Sequence, residues 1–345
     1  MLDSLSLPIL LLIFSVAAAV VWRAGISLSD TTDILSKRFK LGEALGGIIV
    51  LAIVTNLPEI AITISASLTN KVELAVGNIL GGIAMQTVVL ALLDAVGIGK
   101  QATLSSRQSS LIPVLEGIVV IAMLTIVVMG HQLPVDLIVA RMTPAGVLLI
   151  VVWMVGVWLT NKANKGLPWQ LVQSTQPPKK NQSSSDQPST TRSVLIFSIA
   201  ALATLAGGVA LEESGDAMSS KLGMNGVIFG ATILAAATSL PEVSTGLAAV
   251  KLKDYTLAVS DIFGGNAFLP VLLALATMIS GKPVLPTAQK SDIYLTGLGI
   301  LVTVVYVYGF LFRPKRQIAR MGIDSFVVLL LYLLGTAGLF MIARK

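Results

Sequence analysis

The sequence predicts an all-α integral membrane protein of ten transmembrane helices, arranged as two inverted five-helix repeats. Three observations lead there. The 345-residue chain is 54% hydrophobic and only 12% charged, roughly half the charged share of an average soluble domain. Ten apolar runs are each long enough to cross a bilayer, which takes about 20 residues. And TNLPE at Thr55–Glu59 returns as TSLPE at Thr238–Glu242, inside the corresponding apolar run of the second half.

The first run, residues 7–32, follows an acidic rather than basic start and is longer than the core of a signal peptide, so it reads as a spanning helix. Arg23 near its end is long enough to snorkel to the interface. The other predicted spans are 41–69, 72–97, 109–130, 142–161, 193–218, 223–250, 254–280, 291–312 and 322–343. Between the fifth and sixth lies a stretch rich in Ser, Gln, Pro and Lys, which reads as a polar linker. The chain thus divides into a first repeat (1–161), a linker (162–192) and a second repeat (193–345).

An offset of 183 residues carries Thr55 onto Thr238, Asp33 onto Asp216, Ser36 onto Ser219, Leu74-Ala75-Val76 onto Leu257-Ala258-Val259, and Gly81-Gly82 onto Gly264-Gly265. Proline, glutamate and paired glycines all falling in register identify a duplication. Five helices is an odd number, so the second copy enters the membrane upside down. With the N-terminus outside, the inner loops hold most of the 24 Lys and Arg residues. Cytoplasmic loops collect such residues, so the linker and the loop Arg313–Arg320 are expected in the cytoplasm.

Glu59 and Glu242 are the leading candidate site residues. A charged group at the bilayer centre costs about 2.5–3.5 kcal/mol on insertion scales and normally serves a purpose. Pro58 and Pro241 each remove a helix hydrogen bond and free a carbonyl four residues back. Matched breaks in two inverted halves point to a transporter's binding site near the midplane. Two carboxylates meeting there repel unless protons or a cation neutralise them. Hard cations such as Ca²⁺ and Na⁺ take oxygen ligands, and Thr55, Asn56, Thr238 and Ser239 stand beside the two glutamates. A second set lies in Gly77–Gln86 and Ser260–Leu269. Asn78 and Asp261 occupy equivalent positions, with Gln86 and Asn266 further along. The paired glycines allow close helix packing.

Other polar residues read more plainly. Asp33, Glu212, Glu213 and Asp216 are expected at aqueous ends of helices. Glu116 lies in the fourth span opposite Gly299 in the other copy, and reads as either a proton-linked or a lipid-facing acid. His131 reads as a loop residue, and the four Trp as interfacial anchors. There are no cysteines, so disulfides and thiolate metal sites are excluded. An intramembrane aspartyl hydrolase would need two deep Asp residues, and a serine type would need a deep His or Lys. Neither is present, so the chain is not expected to be an enzyme, and no cofactor is expected.

At TNLPE with GNILGG, and TSLPE with SDIFGG, the sequence resembles the cation/calcium antiporter superfamily, the sodium/calcium-exchanger-like membrane proteins. That resemblance implies ten helices in two inverted halves and alternating access, with Na⁺ or H⁺ moving against Ca²⁺ or a related cation. It implies ion-ligating roles for Thr55, Glu59, Thr238, Ser239 and Glu242. The chain departs from the family pattern at Asn56, where Ser is usual, and at Gly82 and Gly265, which stand where a ligating Ser is usual. The later Asn or Asp of each repeat aligns with Gln86 and Leu269, so the second half lacks a polar group there unless Asp261 replaces it. The expectation is a secondary cation antiporter with a midplane carboxylate site, in a bacterial inner membrane, its partners being the transported ions and the lipid bilayer. A monovalent cation/proton antiporter without Ca²⁺ transport is the alternative.

Overall fold

The computed structural model describes residues 2–39, 50–98, 102–164, 166 and 189–343. Residues 41–49 of the second predicted span, and nearly all of the polar linker, lie outside the described residues. The described residues are helical almost throughout: α1 (Leu7–Arg38), α2 (Val50–Thr55), α3 (Leu57–Leu68), α4 (Val72–Leu92), α5 (Leu104–Arg107), α6 (Ile112–His131), α7 (Pro144–Asn164), α8 (Thr190–Lys221), α9 (Gly226–Phe229), α10 (Ala235–Thr238), α11 (Leu240–Lys251), α12 (Tyr255–Phe268), α13 (Val271–Ser280), α14 (Lys290–Phe312) and α15 (Ile323–Ala343). Two wider, π-helical turns interrupt the pattern, Leu93–Ile98 after α4 and Gly230–Leu234 between α9 and α10. Among the described residues, eight helices are long and apolar enough to cross a membrane. Gly226–Thr238 and Leu240–Lys251, bent by 41°, make a ninth if taken as one span.

The breaks fall where the prolines demand them. Pro58 and Pro241 have no N–H to offer the carbonyls of Val54 and Ala237. Asn56 and Ser239 leave helical geometry just before them, with nearly the same backbone angles (φ −90°, ψ 16° and φ −84°, ψ 0°). The helix then resumes through matching bonds, Ile60 N–H to Asn56 O (3.0 Å) and Val243 N–H to Ser239 O (3.2 Å).

Small residues bring the broken segments against their neighbours. A Cβ placed on Gly25 of α1 would stand 2.6 Å from Pro241 Cβ, and one on Gly208 of α8 would stand 2.9 Å from the Pro58 carbonyl oxygen. The offset of 183 relates Gly25 to Gly208 and Pro58 to Pro241, so each long helix rests on the proline break contributed by the other half. Helices α1 and α8 also pack along each other. On α4, a Cβ on Gly77 would meet Val227 O at 2.6 Å, and one on Gly81 would overlap Ala231. The backbone-to-backbone approach of α4 to the α9–α10 stretch therefore depends on glycine.

The interior is packed from Val76, Leu80, Ile83, Leu124 and Leu272 around the middle of α4, and from Leu90, Phe263, Tyr306 and Phe310 toward one end. Phe14 meets Phe229 edge-on at 5.9 Å where α1 approaches α9. Leu12, Trp158, Leu195, Leu202 and Leu334 are exposed on outer helices, as befits a surface solvated by lipid. Two of the four tryptophans are not simple anchors: Trp22 donates to Ser244 Oγ across α1 and α11, and Trp153 packs on Phe268 at 5.4 Å.

At the far end of α4, Asp94 is buried and takes three donors: Leu104 N–H (2.7 Å), Gly322 N–H (2.6 Å) and Ser325 Oγ–H (2.7 Å). It thereby ties α5 and the short hairpin β1 (Gln317–Ile318) and β2 (Met321–Gly322) to the bundle. The hairpin pairs Gln317 with Gly322 and Ile318 with Met321.

Candidate functional site

Because α3 and α11 begin at the proline breaks, Glu59 and Glu242 both fall in a first helical turn. Both point inward and are 1% exposed. All four of their carboxylate oxygens are buried without a hydrogen-bond partner in the protein. The two carboxylates lie within electrostatic reach of each other, and Asp261 on α12 lies within reach of Glu242. Thr238, the residue that closes α10, is directed toward Glu59 from the opposite half. The structure thus brings Glu59, Glu242, Thr238 and Asp261 into one neighbourhood.

The remaining candidates lie on the same broken helices and on α4. Thr55 and Asn56, at the α2–α3 break, are buried. Ser239 is buried and its hydroxyl donates to Ala235 O (2.7 Å), tightening the turn before Pro241. Asn78 on α4 accepts from Thr238 Oγ at 3.5 Å, the outer limit of a hydrogen bond, and its Nδ2 has no partner. Gln86, two turns further along α4, is 1% exposed with both amide atoms unpaired.

Asp261 is steadied from α11. Thr245 Oγ donates to Asp261 Oδ2 (2.7 Å) and lies 3.3 Å from the Glu242 carbonyl, while Asp261 Oδ1 has no partner. Sequence reasoning missed Thr245; its spacing of three from Glu242 was the available signal. Asn266 on α12 donates to Thr87 Oγ (3.2 Å) and to the carbonyl of Ile83 (3.3 Å), its counterpart under the offset of 183, joining α12 to α4.

Gly82 and Gly265 differ in surroundings. A Cβ on Gly265 would stand 2.9 Å from Asn56 Nδ2, so the larger Asn56 side chain occupies the notch that Gly265 leaves. Gly82 faces only Leu269 Cδ1, at 3.8 Å. Leu269 itself is fully buried among apolar residues.

No three acidic or histidine side chains close on a common point among the described residues. An ion here would complete its oxygen shell from hydroxyl, amide and backbone groups. Such groups are present, with unpaired buried acids that stay charged only beside a cation.

Among the described residues the chain is a predominantly helical bundle with eight helices long and apolar enough to cross a membrane, and two of its proline-broken helices each carry a buried glutamate, an arrangement of the membrane-transporter kind. The sodium/calcium exchanger protein family matches residues 9–161 and 192–341, and the chain belongs to that family. It is 25% identical over 302 residues to the inner membrane protein YrbG of Escherichia coli (strain K12), covering 86% of this chain and 88% of that one. It is 24% identical over 283 residues to the putative antiporter CaxA of Alkalimonas amylolytica, covering 80% and 82%. The fold is shared with the sodium-calcium exchanger NCX_Mj in a structure soaked with zero Na⁺ and Ca²⁺, at a TM-score of 0.60 and 18% identity, covering 97% of this chain and all of that one. Family and relatives together place the chain among cation antiporters.

Proposed function

We propose that the chain exchanges Ca²⁺, or a related cation, for Na⁺ or H⁺ at a site between Glu59 and Glu242. The supporting observation is the pair itself: two buried carboxylates, one from each broken helix, in electrostatic reach and with no protein partner for any oxygen. Two acids neutralise one divalent ion, two monovalent ions or two protons. An empty charged pair is too costly in an apolar interior, so one occupant leaves only as another arrives. Thr55, Asn56, Thr238, Ser239, Asn78, Gln86 and Asp261 supply further oxygens around the pair.

In this reading the chain has ten spans, residues 41–69 forming the second. Two inverted five-helix units (1–161 and 193–345) are joined by a cytoplasmic linker (162–192), in the inner membrane of a bacterium. The reciprocal seating of Gly25 on Pro241 and Gly208 on Pro58 supports the inverted relation. So do the matched breaks at Asn56 and Ser239. Helices α1 and α8, which cross both breaks, would move as a pair and open the site to one side at a time.

The test uses the purified chain in liposomes, with ⁴⁵Ca²⁺ uptake driven by Na⁺ or pH gradients. Glu59→Gln and Glu242→Gln are each expected to abolish gradient-driven uptake; full activity in both removes the site assignment. A second reading, a monovalent cation/proton antiporter, is favoured by buried, apolar Leu269 where the family carries a polar group. Absence of ⁴⁵Ca²⁺ uptake alongside Na⁺-driven proton movement would establish it.

A further inference from the structure

The connection between α14 and α15 carries four cations in eight residues: Arg313, Lys315, Arg316 and Arg320. Their number alone records orientation in the membrane. Their presentation is a separate matter, decided by the hairpin that holds them. Among the described residues none of the four makes an ion pair, and Nη2 of Arg313 is buried without a partner. The acids at the base of the hairpin are taken up by other donors. Asp94 accepts from Leu104, Gly322 and Ser325, and Asp324 accepts from Ser105. Two further bonds fix the frame: Thr103 Oγ donates to Pro314 O (2.9 Å), and Gln317 Nε2 donates to Ala102 O.

The hairpin tip is left-handed at two successive residues, Ala319 (φ 51°) and Arg320 (φ 72°). Two-residue hairpins of this hand favour Asn-Gly, and other L-residues are strained there. The device recurs in the other half. Val139-Ala140-Arg141-Met142 precedes α7 as Ile318-Ala319-Arg320-Met321 precedes α15. Val139 and Met142 exchange both backbone bonds at 2.9 Å, with Ala140 and Arg141 at φ 50° and 61°. The two arginines differ in what they meet. Arg141 Nη1 donates to Met278 O (3.4 Å), in the last turn of α13, a helix end that attracts a cation. Arg320 is exposed amid three other basic residues.

The hairpin borders a surface that faces lipid. Tyr308, Leu311 and Phe312 at the end of α14 are exposed, and Tyr308 stacks on Phe312 (6.0 Å, 19°). Aromatic rings at the end of a spanning helix sit at headgroup level. Arg313 follows directly, so the cations stand at the depth of lipid phosphates. Exposed Arg107, Lys251 and Lys253 extend the basic surface. The bond from Thr256 Oγ to Gln108 Oε1 (2.7 Å) ties their turns together. The charge calls for an anionic partner, and the depth makes that partner a lipid.

We infer that the hairpin between α14 and α15 binds an anionic phospholipid. Its phosphate is held by Arg313, Lys315, Arg316 and Arg320, and an acyl chain lies on Tyr308 and Phe312. The inference needs only the membrane location of the chain and is independent of which ions are exchanged. A headgroup there braces the hairpin and, through Asp94, the turn that ends α4.

The test uses the full chain purified in neutral detergent. Phosphatidylglycerol, phosphatidylcholine and inorganic phosphate are titrated separately. Bound lipid is counted by native mass spectrometry, and unfolding is followed by tryptophan fluorescence. Phosphatidylglycerol is expected to be retained and to raise the unfolding temperature, and the other two to do neither. Each surface cation contributes about fivefold, so replacing Lys315, Arg316 and Arg320 together by Gln is expected to lower retention about 100-fold. Those side chains have no protein partner, so this variant is expected to unfold with the parent in phosphatidylcholine. Arg320→Gly, which relieves the left-handed strain, is expected to unfold no earlier than the parent and to retain about fivefold less phosphatidylglycerol. Four results overturn the inference: equal retention of the two lipids, inorganic phosphate matching phosphatidylglycerol, a triple variant that binds like the parent, or an equal loss in Arg141→Gln.

Discussion

Adjacent glycines on α4 provide a sharp test of how the site is held. A Cβ on Gly81 would overlap the Cα and Cβ of Ala231 and stand 2.8 Å from its carbonyl oxygen. Carbon atoms rest in contact at about 3.5–4.0 Å. Relief requires moving backbone, because Ala231 has no flexible tip to swing aside. Helix α4 and the Gly230–Leu234 turn would have to part by about 1 Å, an overpacking that costs about 1–3 kcal/mol. Helix α4 carries Asn78 and Gln86, and the π-helical turn leads directly to Thr238. A misplacement of about 1 Å at such groups costs about 100-fold in rate. One residue on, a Cβ at Gly82 would meet only Leu269 Cδ1 at 3.8 Å, an ordinary contact. Removing a mid-helix glycine there gains about 0.5–1 kcal/mol. Thermal unfolding of the purified protein in detergent, read by tryptophan fluorescence, and cation uptake in liposomes measure both effects. Gly81→Ala is expected to unfold earlier and transport about 100-fold more slowly, whereas Gly82→Ala matches or exceeds the parent in stability. A Gly81→Ala protein indistinguishable from the parent, or a Gly82→Ala protein equally damaged, refutes the reasoning.

The remaining predictions concern charge. In Glu242→Gln, losing one charge of a buried site is expected to weaken Ca²⁺ binding by about 3 kcal/mol, or about 100-fold, measured by calorimetry. Asp94→Ala strands three buried donors at about 1–3 kcal/mol each. It should lower the unfolding temperature and expose the β1–β2 hairpin to protease, with Ca²⁺ affinity unchanged. Asp216→Asn breaks the Lys71–Asp216 pair (2.6 Å), whose side chains are 42% and 22% exposed; exposed pairs contribute about 0–1 kcal/mol, so no change in unfolding temperature above about 2 °C is expected.

Much of the fold was legible in the sequence because a bilayer imposes length and apolarity directly. Among the described residues, the eight spans recognisable by length and composition fall at eight of the ten expected positions, and the bent ninth falls at 223–250. The remaining expected span, 41–69, is only partly within the described residues. The two glutamates were legible because an acid and a proline are conspicuous in an apolar run, and the duplication made them so twice. The same reading left Glu116 open between a proton-linked and a lipid-facing acid, and it missed Thr245. Both depend on helix rotation. In a membrane the lipid-facing and protein-facing sides of a helix are equally apolar, so periodicity carries little information about which side is which.

What the sequence by itself determined, then, was the long apolar segments, the recurrence of TNLPE as TSLPE and the positions of the two breaks, each read from composition or from proline's missing N–H. The tertiary structure alone decided which groups meet. It seated Gly25 on Pro241 and Gly208 on Pro58, fitted Asn56 into the notch at Gly265, and turned Glu116 toward Ser260. Those pairings come from how closely backbones approach across helices far apart in the chain, and spacing along one chain cannot express that distance.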